Sequence, residues 1–243
     1  MEFEAVYNAP RNGRLKVLGI SGGKNRGFGA LGVFLEGKKK CSKMAAIRSN
    51  SGVWAEIPKG TRAKRLKIRV EFEFKTSDFS EAFYFCNCLT EVLEFDIGNG
   101  TDFSGMFEGC SNLESVPLLD TSNGTNFSGM FYGCKSLSSV PLLDTSKGTN
   151  FPAMFYGCSK LANVPLLDTH NGEYFGIMFS GCSNLESVPL LDTSNGTDFH
   201  AMFYGCSKLA SVPAFDTHNG ANFKAMFEGC PSVPEWAKGL NFA

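Results

Sequence analysis

Phe103-Ser-Gly-Met-Phe-Glu-Gly-Cys-Ser-Asn-Leu-Glu-Ser-Val-Pro-Leu-Leu-Asp-Thr-Ser-Asn-Gly-Thr-Asn126 is one unit of a pattern that returns every 24 residues. Units at 127–150, 151–174, 175–198 and 199–222 repeat it closely. A looser copy occupies 79–102, and a truncated one starts at 223. Cys86, Cys110, Cys134, Cys158, Cys182, Cys206 and Cys230 mark the beat. A fixed period of this length predicts a solenoid, in which each unit is a coil stacked on the one before and none can bury its apolar face alone.

Within the unit, Phe103, Met106, Phe107 and Cys110 fall at i, i+3, i+4 and i+7, which predicts one face of a short helix. Asp102, Asn126, Asn150, Asp198 and Asn222 precede it as N-cap types, with Tyr174 the exception. Gly109, Gly133, Gly157, Gly181, Gly205 and Gly229 fall where that helix should stop. Leu113, Val116 and Leu118 then have the spacing of the strand segment of a leucine-rich repeat. The strand must be short, because Pro117, Pro141, Pro165, Pro189 and Pro213 have no N–H for a ladder. Asp120-Thr-Ser-Asn-Gly124 supplies the closing turn. Seven coils about 4.8 Å apart make a rod roughly 30 Å long. Cys230-Pro-Ser-Val-Pro-Glu-Trp236, Leu240 and Phe242 depart from the pattern and read as a C-terminal cap. The fold class expected is an α/β leucine-rich-repeat solenoid of 24-residue coils, each a short strand plus a short helix, over residues 79–243. A small β-rich domain precedes it over residues 1–78.

Residues 1–78 have strand character. Leu66, Ile68, Val70, Phe72 and Phe74 alternate with charged residues, Phe3, Ala5 and Tyr7 alternate more weakly, and Pro10-Arg-Asn-Gly13 offers a hairpin turn. An antiparallel sheet or sandwich of five or six strands is expected. The chain's net charge of −1 hides a division. Residues 1–78 carry 17 Lys and Arg against 7 Asp and Glu, and residues 79–243 carry 6 against 17. Such asymmetry predicts different surroundings for the two halves. Lys38, Lys39, Lys40, Arg62, Arg65, Lys67 and Arg69 are the candidate docking residues, for contact with an acidic protein partner. The reading for Arg65, Lys67 and Arg69 that involves no partner is a solvated strand face.

Periodic residues make columns in a solenoid. The cysteines are expected as buried, reduced thiols rather than disulfides or zinc ligands, since no paired CxxC occurs. Asp96, Asp120, Asp144, Asp168, Asp192 and Asp216 form a column whose mutual repulsion must be offset. Turn N–H groups are the expected partners, with calcium the alternative. Leu119, Leu143, Leu167, Leu191 and Phe215 either form an exposed apolar stripe for a protein partner or belong to the core. Tyr132, Tyr156 and Tyr204 are candidates for a recognition row on the helix side. Gly27-Phe-Gly-Ala-Leu-Gly32 matches a phosphate-binding fingerprint but lacks the βαβ context that would give it that chemistry. No nucleophile, base and orienting group are set together, no 18-residue apolar stretch occurs, and the N-terminus lacks the charged and apolar regions of a secretion signal. No catalytic residue, cofactor, metal site, nucleic-acid role or membrane span is expected.

The unit Phe-x-x-Met-Phe-x-Gly-Cys-x-x-Leu-x-x-Val-Pro-x-Leu-Asp-Thr-Ser resembles the BspA-like leucine-rich repeats of bacterial surface proteins, related repeats of which occur in bacteriophage proteins. The resemblance implies non-catalytic attachment, with the solenoid displaying a surface to a protein or glycan. The alternative is a structural accessory protein of a bacteriophage virion, a capsid decoration or tail adhesin, docked through residues 1–78. With no export signal, the chain is expected to be made in the cytoplasm and displayed on such a particle, or on a cell surface if a signal has been trimmed.

Overall fold

The computed structural model describes the backbone of seven strands between residues 2 and 72, side chains at 4–8, and all of residues 77–243. The strands are β1 (Glu2–Asn8), β2 (Arg14–Gly19), β3 (Ala30–Glu36), β4 (Cys41–Met44), β5 (Ala46–Ser49), β6 (Gly52–Glu56) and β7 (Arg65–Phe72). An eighth, β8 (Leu89–Phe95), lies in the first coil. They form two sheets, in the orders β4-β3-β7-β1-β8 and β2-β6-β5, with every pair antiparallel. The first sheet therefore continues from the N-terminal strands into the first coil. The register sets Leu66, Ile68 and Val70 opposite Tyr7, Ala5 and Phe3. Ala5 and Tyr7 are fully buried in the same core as Phe79, Phe83 and Cys86, so β1 covers the open end of coil one.

From residue 77 onward the chain stacks coil on coil, with parallel bridges joining Asp78, Asp102, Asn126, Asn150, Tyr174, Asp198 and Asn222 in succession. Phe103, Met106, Phe107, Cys110 and Leu113 are fully buried, as are their equivalents through coil five. The expected helix is not there. The segment 103–110 is instead a run of overlapping turns, with Met106 N–H donating to Phe103 O, Glu108 N–H to Gly105 O, and Cys110 N–H to Phe107 O. The N–H groups of Phe103, Gly105, Phe107 and Gly109 donate across to the carbonyls of Asn126, Ser128, Met130 and Tyr132 in the next coil, at 2.7–2.9 Å. Odd positions thus donate to the following coil and accept locally, while even positions donate locally and accept from the preceding coil. The Ser104 N–H, left over, donates to the Asp102 carboxylate, so the predicted cap residue closes an Asx turn instead. Every backbone polar group in the run is satisfied.

This geometry needs left-handed backbone twice per coil. Gly109, Gly133, Gly157, Gly181, Gly205 and Gly229 have φ from +69° to +78°. Four residues earlier, Gly105 and Gly129 are left-handed too, and there Ala153, Ile177, Ala201 and Ala225 adopt φ of +47° to +57°. Those side chains are held in a region L-residues avoid at a cost of about 1–2 kcal/mol each. An inward residue every three and four positions is as natural to a four-residue turn repeat as to a helix, which is why the spacing misleads about the backbone.

The strand segment is also reduced. Isolated rungs remain between some neighbouring coils: Glu114 N–H to Thr90 O, Glu186 N–H to Ala162 O and Ala210 N–H to Glu186 O. Coil one alone has a full strand there, where Leu93 stands in place of the proline and β1 pairs with β8. At the far end, Trp236 contacts Phe215 and Phe227, its indole N–H donates to Val212 O, and Phe242 meets Phe227 edge-on. These contacts close the last coil as the sequence led us to expect.

The cysteine column runs through the core. From Cys110 to Cys230 each thiol donates to a phenylalanine carbonyl of the coil before, Cys158 to Phe131 O at 3.1 Å. Burial pushes the Cys158 thiol up to about 12, so it carries negligible thiolate at neutral pH. Cys110, Cys134, Cys158, Cys182 and Cys206 are expected to resist maleimide at pH 8 in the native protein and to label completely in denaturant, as read by peptide mass mapping. Native-state labelling of Cys158 would place the column at the surface.

The backbone yields a second test. Ala153→Gly relieves a left-handed alanine and should raise stability by about 1 kcal/mol. Gly181→Ala puts a Cβ at φ +75° and 3.4 Å from the Gly157 Cα, and should cost about 1–2 kcal/mol or more. Urea midpoints that do not move in these opposite directions would contradict the turn run.

Candidate functional site

On the proline side of the coils, the buried positions are Leu113, Val116, Leu119 and Thr121. The first three are three residues apart, the period of the polyproline conformation that Pro117 favours. The register differs from the two-residue alternation of a strand, and the exposed residue moves by one position. Leu119, Leu143, Leu167, Leu191 and Phe215 are only 2–6% exposed, so the stripe expected from them is core. Their chain neighbours Leu118, Leu142, Leu166 and Leu190 face solvent at 62–75%. An exposed apolar row therefore exists one residue away from the place the sequence suggested.

Asp120, Asp144, Asp168, Asp192 and Asp216 are exposed two residues further on. The leucine and aspartate rows run side by side along the stack. Together with Thr121, Thr145, Thr169 and Thr193 they line a groove of about 1170 Å³ that ends at Ala214 and Asp216. The buried threonines fix its floor, Thr121 donating its hydroxyl to Asp144 O and Thr145 to Asp168 O, both at 2.8 Å.

Each carboxylate is organised by its own turn. Asp120 Oδ1 accepts the Ser122 hydroxyl at 2.7 Å and its N–H at 3.2 Å, and Ser146 and Ser194 serve Asp144 and Asp192 alike. In two coils a histidine takes the serine's place, with His170 Nδ1 2.6 Å from Asp168 Oδ1 and His218 Nδ1 2.7 Å from Asp216 Oδ1. These side-chain hydrogen bonds, followed by the turn N–H groups, hold all five carboxyls below the usual carboxylate range, against the opposing effect of burial. The turn partners expected from sequence are thus present, and the row is fully ionised at neutral pH. Among the described residues, no three His, Cys, Asp or Glu side chains are grouped to hold a metal ion.

The tyrosines lie elsewhere on the coil. Tyr132 and Tyr156 stack on each other with ring centroids 4.5 Å apart and planes 9° off parallel, so their facing surfaces cover each other. Ser180 takes the next place in that column, and Tyr204 stands beyond it at 45% exposed. The predicted row is thus a pair and a separate ring. Of the docking candidates, Lys38, Lys39, Lys40 and Arg62 lie outside the described residues. Arg65, Lys67 and Arg69 lie on β7, opposite Asn8, Val6 and Glu4 of β1. The Gly27 to Gly32 segment lies largely outside the described residues.

The sequence of residues 77–186 and 139–238 matches the profile of a family described as "Mycoplasma protein of unknown function, DUF285". The chain belongs to this family. Both matched stretches fall within the coiled half, in agreement with the repeat reading. Among solved structures, a leucine-rich repeat protein from Eubacterium ventriosum aligns with 20% identity and a TM-score of 0.45. The alignment covers 67% of this chain and 49% of that one, so the chain spans about half the length of this relative. No curated protein matches the chain.

The carboxylate geometry carries a pH prediction. The folded pKa values lie below those of the unfolded chain, so the stabilisation is present in full above the ordinary Asp value of about 3.9 and is lost as pH falls through the lower folded values. Carboxyl NMR titrations of Asp144 and Asp192 should show midpoints below about 3.9. Midpoints at or above it would mean that the turn hydrogen bonds are not formed.

Proposed function

We propose that this protein is a non-catalytic recognition module, displayed on a surface, whose solenoid binds a protein partner along the leucine–aspartate groove. The observation that carries the reading is the row Leu118, Leu142, Leu166 and Leu190, at 62–75% exposure on a rigid stack. Leaving four large apolar side chains mostly exposed forgoes a large part of the roughly 1.5–3 kcal/mol that burying each would give, and contiguous exposed apolar surface marks an interaction site. The surface is preformed, because each coil's backbone is hydrogen-bonded to its neighbours, so a partner meets little ordering cost. The resemblance of the unit to BspA-like repeats supports the same reading.

A protein suits this groove better than a glycan does. Its apolar row has no aromatic ring to stack on a sugar, and the facing surfaces of the Tyr132 and Tyr156 rings are taken up by each other. The alternative role as a virion accessory protein depends on docking through residues 1–78 and draws no support from the groove.

Random-peptide selection on the immobilised protein tests the proposal. Selected peptides should lose binding to the double variant Leu142→Ser/Leu166→Ser, whose melting temperature stays near wild type because both side chains already face water. Selection dominated by peptides indifferent to this change would move the interface to another face.

A further inference from the structure

We propose that the occupant of the groove is a cationic amphipathic α-helix of a partner protein, lying along the stacking axis. Its apolar face would rest on the leucine row and its Lys or Arg side chains on the aspartate row. This rests on the recognition reading above and names the partner class. Three observations carry it.

The first is spacing. One phenylalanine column of the core includes Phe203, which meets Phe215, the coil-six equivalent of Leu119, at 6.2 Å. Successive rings of this column are 5.4–5.6 Å apart from Phe107 to Phe227 and nearly parallel. An α-helix advances 5.4 Å per turn, so a helix along the axis presents one turn to each coil. Over four steps of this phenylalanine column the mismatch accumulates to less than about 1 Å. An extended chain brings same-side residues past at about 6.7 Å, and drifts by about one coil over the same distance.

The second is the pairing of the rows. Leu118 and Asp120 are two residues apart on the same coil, so each coil offers one apolar and one anionic contact side by side. A helix with apolar residues at i, i+3, i+4 and i+7 and basic residues along the edge of that face answers both rows in every turn. The third is charge. Five carboxylates held below their usual pKa remain ionised throughout the physiological range. They are exposed, and although Lys147 acts on Asp144 and His170 and His218 contact Asp168 and Asp216, the row stays anionic enough for a partner's cations to complement it. A partner strand added by β-augmentation needs an open ladder edge, and the hydrogen bonds described for these coils run along the axis from coil to coil.

The test uses two labelled peptides of one composition, Leu, Lys and Ala, roughly 18 residues long. One has Leu and Lys at helical spacing and the other has them in strict alternation. Fluorescence anisotropy with the full chain should favour the helical-period peptide, and its affinity should fall as salt is raised. Asp144→Asn/Asp168→Asn/Asp192→Asn keeps the side-chain oxygen that each turn requires, and should weaken binding by about tenfold or more. Leu142→Ser/Leu166→Ser should weaken it as well, with circular-dichroism melts confirming the fold of both variants. Tighter binding of the alternating peptide, still sensitive to the leucine change, would overturn the helix while leaving the recognition reading in place. Binding of the helical peptide that ignores both sets of substitutions, or no binding of either peptide, would overturn the proposal. Self-association of the protein alone that the aspartate variant abolishes would also overturn it, by placing the basic half of a second copy in the groove.

Discussion

The alternation of backbone hydrogen bonds in the turn run determines the rest of the molecule. Odd positions give their N–H groups to the following coil, and even positions receive from the preceding one. No coil can satisfy its donors without a successor. In the last turn run the Ala225 N–H donates instead to the Phe242 carbonyl of the cap. At the other end the sheet supplies the missing cover through β1. Buried amides are costly to leave unpaired, so the stack and its two closures form one requirement.

Stacking at fixed register brings like residues together, and the consequences differ by residue. Phenylalanines benefit, since near-parallel offset rings add about 0.5–1.5 kcal/mol per pair beyond burial. Thiols become small buried donors that meet the second lone pair of a carbonyl. Glycines are needed where the chain turns left-handed and the coils pass closely. Aspartates would repel in such a column, and each is held by its own turn. Leucine at the 118 position gains nothing from the fold, and that is why its recurrence through four coils points outside the molecule.

Much of this was legible in the sequence, because a 24-residue period constrains every position at once. The inward set Phe103, Met106, Phe107, Cys110 and Leu113, the left-handed Gly109 column and the Trp236 closure could all be read from residue type and spacing. The backbone of the turn run could not, since a four-residue turn repeat and a helix place the same side chains inward. Gly105 and Gly129 carried the missing signal, because two glycines four apart oppose a helix of eight residues. The groove was missed by one residue for a related reason. Strand alternation placed Leu118 inward and left Leu119 open between surface and core, whereas the three-residue spacing that follows from Pro117 turns Leu119 inward and Leu118 outward. The antiparallel joining of β1 to β8 was invisible because no local pattern ties Glu2–Asn8 to a segment more than eighty residues away.

The stack is open in the sense that no contact links the first coil to the last. Duplication or loss of a whole unit between Phe103 and Asn222 leaves every surviving interface intact and both end closures in place. Such an event lengthens or shortens the groove by one leucine and one aspartate. The length of the surface is therefore inherited as a whole number, and evolution can change it by counting units, without redesigning any residue.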